Sequence, residues 1–150
     1  MKISYTMDIN SKVEKVFPWI DDPERAKQWM TSVSKGEILN ETPERIGTTF
    51  KETVEENGCG TELYGEITGY ILNKFMSFHL EGRFNAVDVE YHLEEIEGRT
   101  RLTFSSDVSF KSFTKVLMLI MGPLFKKKTT DQLQKEFARL KELCENGAYI

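Results

Sequence analysis

VDVEYHLEEIEGRTRLTFSSDVSF, residues 87–110, decides the architecture. Val87, Val89, Tyr91 and Leu93 alternate with Asp88, Glu90, His92 and Glu94. After the Glu97-Gly98 pair, Leu102, Phe104, Ser106, Val108 and Phe110 alternate with Arg101, Thr103, Ser105, Asp107 and Ser109. A period of two over this length, broken by a short turn, predicts an antiparallel hairpin. One face is apolar and the other charged, so one side of the sheet is covered and the other wet.

The same period extends upstream. Phe50, Glu52 and Val54 share one face, and Lys51 and Thr53 the other. Asn57-Gly58 is a hairpin signal. Leu63, Gly65 and Ile67 follow, then an Asn73-Lys74 turn and Met76, Phe78 and Leu80. Residues 33–41 read as a weaker strand. Ile3, Tyr5, Met7 and Ile9 mark another at the start of the chain.

Two short helices fall after that first strand. Asn10 or Ser11 is expected to cap the first, which carries Val13, Val16, Phe17 and Ile20 with Pro18 inside it. Asp22 caps the second, Pro23 opens it, and it runs to about Met30 with Trp29 towards the core. At the other end Leu133, Phe137, Leu140 and Cys144 recur at helical spacing, predicting a helix over about 131–146 with Gly147 as its C-terminal cap.

The order is therefore one strand, two helices, six strands and a helix. A sheet with one apolar face and a helix with one apolar stripe must bury them against each other. The fold class is α+β: a curved antiparallel seven-stranded sheet wrapped around a long C-terminal helix.

With 150 residues the chain reads as a single domain, 1–150. Its net charge of −4 argues against general nucleic-acid binding, which needs a positive footprint. The opening MKISYTMDIN reads as a strand rather than a secretory signal. The apolar run from Val116 to Phe125 is far short of the ~20 residues of a membrane span, so stable membrane insertion is not expected and a cytoplasmic location is. Cys59 and Cys144 are far apart and belong to no metal-binding spacing, so two reduced thiols and no metal or other cofactor are expected.

Several stretches resemble the START-like (SRPBCC) superfamily of helix-grip proteins, which includes the birch-pollen-allergen type and the bacterial polyketide cyclase/dehydrase-like family. They are Ser11…Val16-Phe17-x-Trp19-Ile20-x-Asp22-Pro23-Glu24…Trp29, Gly47-x-x-Phe50, Gly65-Glu66-Ile67-x-x-Tyr70, Lys74-Phe75-Met76-x-Phe78 and Leu140-Lys141-x-Leu143-x-Glu145. The resemblance covers essentially the whole chain and rests on structural motifs, so it carries over no catalytic residue. It implies a cavity between the sheet and the C-terminal helix that binds a hydrophobic small molecule, lipid- or polyketide-like. A cyclase/dehydrase-type enzyme is the alternative. A protein-interaction module resembling the Hsp90-ATPase activators is a second one. Fold alone does not choose among them.

The expected ligand-binding walls are Phe50, Val54, Leu63, Ile67, Met76, Phe78, Leu80, Val89, Tyr91, Leu102 and Phe104, closed from the helix side by Leu117, Met121 and Phe125. Gly65 is expected to leave room among them. Glu52 shares the inward parity of Phe50 and Val54, while Tyr91 and Ser106 offer inward hydroxyls. A carboxylate in an apolar cavity must be paired, hydrogen-bonded or protonated. The competing reading is a bulge at Thr53 or Val54 that turns Glu52 to solvent.

His79 and His92 fall on the polar face and read as surface residues. Glu62, Glu66, Glu90 and Glu94 share that face as solvation. The run 116–125 has three readings: a cover over the cavity with Lys126-Lys127-Lys128 as a solvated turn, a membrane-surface contact, or a homodimer contact. Gly122-Pro123 is expected to interrupt the helix there and let the segment gate the cavity. The oligomeric state, monomer or homodimer, stays open.

Overall fold

A hairpin that alternates so regularly needs a partner for its apolar face, and the C-terminal helix supplies it. The computed structural model describes residues 1–31, 33–56 and 59–146. The Asn57-Gly58 turn, the Gly147 cap and the Cys59 side chain lie outside the described residues.

The elements are β1 (Lys2–Ile9), α1 (Val13–Asp21), α2 (Pro23–Ala26), β2 (Val33–Asn40), β3 (Thr49–Glu56), β4 (Cys59–Ile71), β5 (Phe75–Glu81), β6 (Asn85–Ile96), β7 (Arg99–Phe110) and α3 (Ser112–Glu145). The strands form one antiparallel sheet in the order β1-β7-β6-β5-β4-β3-β2. β1 thus closes onto β7, and β1 and β2 are the edges. The β6–β7 turn places Glu97 and Gly98 at φ 51° and 79°. Both residues are left-handed, as a tight hairpin requires, and glycine takes the second position without steric cost.

The inward residues of β6 and β7 pack on α3. Phe137 and Leu140 are fully buried, and Leu143 and Cys144 nearly so. The Phe137 ring stacks on Tyr5 at 5.2 Å and on Trp29 at 5.6 Å, and tilts against Phe104 at 5.1 Å. Trp29 donates its indole N–H to the Trp19 carbonyl at 2.8 Å, so its burial leaves no orphan donor.

Polar ties fasten the same end of α3. Glu145 accepts from the Asn10 backbone N–H at 2.8 Å, and Lys141 donates to the Asp8 carbonyl at 2.9 Å. These ties explain why neither Asn10 nor Ser11 caps α1. The Asn10 N–H is held by α3 and the Ser11 carbonyl accepts from Thr100. Lys12 is the capping position and offers no side-chain bond. Asp22 does cap α2, accepting from Glu24 N–H at 3.0 Å, though the α-helix ends at Ala26 and continues to Met30 as turns.

The largest departure from expectation is α3 itself. It runs unbroken for 34 residues, with Pro123 inside it, a length of about 50 Å at ~1.5 Å per residue. Proline removes one backbone donor and crowds the preceding turn, yet the helix continues on both sides of Pro123. On its far side Phe125 packs edge-on against Phe110 at 5.6 Å, and on its near side Met118 meets the same groove. Gly122-Pro123 is not a break, and Lys126, Lys127 and Lys128 are exposed helical residues rather than a turn.

Truncating the ring at the centre of this packing removes contacts from three elements at once. Phe137→Ala is expected to cost about 3–5 kcal/mol of unfolding free energy, measured by urea denaturation. A loss below about 1 kcal/mol would mean that the ring is not the anchor.

Candidate functional site

Between the sheet and α3 lies a cavity of about 290 Å³. Phe137 closes the space at one end, and α3 lines it from Phe125 through Leu133 to Glu136. Val54, Leu63, Phe78, Leu80, Val89, Tyr91, Phe104, Ser106 and Phe125 line it, as the inward parity of their strands and helix requires. A second chamber of about 80 Å³ continues towards α1 and α2, walled by Phe50, Ile67 and Met76 among others. Met30, Glu52, Phe78 and Tyr91 belong to both chambers and form the waist between them.

Three expected wall residues lie elsewhere. Leu102 is fully buried in the core beneath the helix. Met121 is exposed, because its side of α3 turns away from the sheet. Leu117 lines an outer groove with Phe84 and Phe110, which joins the cavity at Val54, Leu63, Asn85 and Phe125. The room expected from Gly65 is filled. A Cβ there would run into the Phe50 ring, so the glycine serves to seat that ring rather than to leave space.

Glu52 points inward. β3 pairs with β4 without a break from Thr49 to Glu56. The irregularity opposite Thr53 and Val54 belongs to β2, between Val33 and Lys35, and so leaves the parity of Glu52 intact. Among the described residues Glu52 has no hydrogen-bond or ion-pair partner. Burial without compensation pushes its carboxyl up to about 7.

A second acid, Glu136, enters the cavity from α3. It is buried, accepts from the Thr31 backbone N–H at 3.1 Å, and is raised by burial against that bond and one from Gln132. The Tyr91 hydroxyl is held far above its usual range, first by burial and then by the two carboxylates, Glu52 and Glu136.

Glu136 was legible in principle. It sits three residues after Leu133 and four before Leu140, an acid on the apolar stripe of α3. Trp29, Met30 and Val33 also reach the wall; their contribution depends on how the α2–β2 connection folds back, which spacing does not reveal.

The larger chamber has no Lys, Arg or His on its wall. Arg45 lines the smaller one, where Asp21 pairs with it, Glu41 lies 3.4 Å away and the Tyr70 ring stacks beneath it. His79 sits on the outer face between Glu81 and Asp88, which raise its pKa, and His92 is exposed. No cluster of metal-ligating side chains occurs among the described residues.

This architecture is that of the START-like helix-grip proteins. The family described as polyketide cyclase/dehydrase and lipid transport matches residues 1–145, and the chain belongs to it. Similar solved structures include a protein from Thermus thermophilus (15% identity, TM-score 0.82, covering 99% of both chains). A START superfamily protein from Mycobacterium smegmatis has 18% identity and a TM-score of 0.79, covering 97% of both chains. The Zhui aromatase/cyclase from a Streptomyces species has 12% identity and a TM-score of 0.78, covering 97% of this chain and 93% of its own. At these identities the likeness is one of fold. No curated protein sequence matches the chain.

The state of Glu52 makes a thermodynamic prediction. A carboxyl raised in the folded state stabilises the protein below its unfolded pKa, and that contribution is lost as pH rises through the folded one, here from about 4.5 to about 7. Glu52→Gln should therefore raise stability at pH 8 by on the order of 2 kcal/mol, with the difference vanishing near pH 4.5. Urea titrations at both pH values check this. An equal effect at both would place the carboxyl in water.

Proposed function

We propose that the protein is a non-catalytic carrier or sensor of a hydrophobic small molecule that occupies the two chambers between sheet and α3. The observation that supports this best is an apolar cavity holding two unneutralised carboxyls and no cation in its larger chamber. The volumes of about 290 and 80 Å³ suit a small, slender ligand. Burial of its apolar surface supplies the affinity, and the waist residues fix its orientation.

The two acids also select its charge. A protonated Glu52 donates to a ligand carbonyl or hydroxyl, and an ionised one pairs with an ammonium. A ligand carboxylate meets like charge without a counter-ion. The ligand is thus an uncharged or amine-bearing apolar molecule, not an ionised fatty acid.

The same carboxyl supports a second reading, an enzyme of the cyclase/dehydrase type. A group titrating near 7, on the same wall as the Tyr91 hydroxyl, suits general acid–base transfer to a folded substrate.

Displacement of the neutral fluorophore N-phenyl-1-naphthylamine at pH 8 tests the carrier reading. Decanol and decylamine should displace it, with decanoate weaker by about tenfold or more, a difference of ~1.4 kcal/mol. The Glu52→Gln/Glu136→Gln double variant should narrow that gap. Failure of the fluorophore and all three chains to bind would remove the carrier reading. Equal binding of decanoate would remove only the charge selection.

A further inference from the structure

The outward face of α3 in its first half is bare. Leu119 is 81% exposed, Ile120 79%, and Val116 and Leu124 64% each. Val116, Ile120 and Leu124 stand one above the other at four-residue spacing, so they form a stripe rather than scattered side chains. A contiguous apolar stripe of this kind on a water-soluble surface marks a contact. The expectation that this run packs over the cavity fails here: only Leu117, Met118 and Phe125 of the apolar residues turn inward, to the groove and the cavity.

Charge says what the stripe meets. Between Asp107 and Asp131 the chain carries five lysines and no acid, on a protein whose net charge is −4. Lys115 stands at one end of the stripe and exposed Lys126, Lys127 and Lys128 at the other. Their long stems extend along the apolar face while the ammonium heads reach past it. A second copy of the chain paired through this stripe would bring these lysines against their own counterparts, and like charges at a desolvated contact oppose association. An anionic bilayer satisfies both features: apolar side chains enter the headgroup–acyl boundary and lysines meet the phosphates. No helix among the described residues is long and apolar enough to cross a membrane, so the contact lies in the interface plane.

We propose that the first half of α3 docks on an anionic lipid surface, with Val116, Leu119, Ile120 and Leu124 in the interface and Lys115 and Lys126–Lys128 on the headgroups. Docked in this way, the groove of Leu117, Phe110 and Phe84 opens beside the bilayer. Because that groove joins the cavity at Phe125, an apolar ligand can pass between membrane and cavity without crossing water.

Co-sedimentation of the full chain with phosphatidylcholine vesicles, with and without a quarter phosphatidylglycerol, tests the proposal. Binding is expected on the anionic vesicles, weaker by about tenfold or more on the neutral ones, and reduced by added salt. Lys126→Gln/Lys127→Gln/Lys128→Gln should weaken partition on the order of a hundredfold, at about fivefold per lysine. Leu119→Glu/Ile120→Glu should abolish it. All five positions are exposed, so melting temperatures should stay close to wild type, and Ile120→Ser is the milder variant should the glutamates perturb folding. The proposal is overturned by absence of binding to either vesicle or by equal binding to both. It is also overturned by a wild-type dimer that Ile120→Glu converts to a monomer, which would make the stripe a contact between copies.

Discussion

The Phe137 ring, caged by Tyr5, Trp29 and Phe104, is the contact on which the other parts depend. It joins α3 to the edge strand β1, to the connection after α2 and to β7 at one point. From Phe104 the packing continues through Tyr91 and Phe78 to Phe50, so one row of rings crosses the sheet from β7 to β3. The first half of the helix is held more lightly, through Phe125 on Phe110 and Met118 at the outer groove. The cavity lies directly ahead of the Phe137 anchor, lined along α3 by Phe125, Thr129, Gln132, Leu133 and Glu136.

Most of that frame was legible in the residues. Strict alternation at 87–110 and the spacing of Leu133, Phe137 and Leu140 specify the sheet, the helix and the faces they share, because burial enforces period two and period 3.6 with little freedom. Glu52 followed from the same parity. The readings that failed concern balances between local and distant forces. Gly122-Pro123 looked like a break, yet Met118 and Phe125 hold the helix on both sides of it. Asn10 and Ser11 looked like caps, yet Glu145 and Thr100 claim their backbones. Gly65 looked like empty space, and only the rotamer of Phe50 says otherwise.

Two acids in one apolar cavity are costly to a fold, and nothing among the described residues neutralises them inside the larger chamber. Residues retained against stability are characteristic of binding and catalytic sites, where local rules are broken for function. Around this weak point the aromatic row and the ties of Asn10 and Asp8 to the helix supply the compensating rigidity. The stabilising and the selecting parts of the molecule therefore adjoin: Phe104, Tyr91 and Phe78 belong to the ring row and to the cavity wall alike, and Glu136 sits beside Phe137 on α3.

The close seat of Phe50 on Gly65 carries an evolutionary consequence. The ring fits only because position 65 lacks a methyl group, and that ring is also a wall of the smaller chamber. A single-nucleotide step from glycine to alanine would push the ring off its seat and change the length of the space beyond the waist, while leaving both carboxyls in place. Descendants of this chain can therefore retune the size of the molecule they hold at one codon, independently of the charge they select.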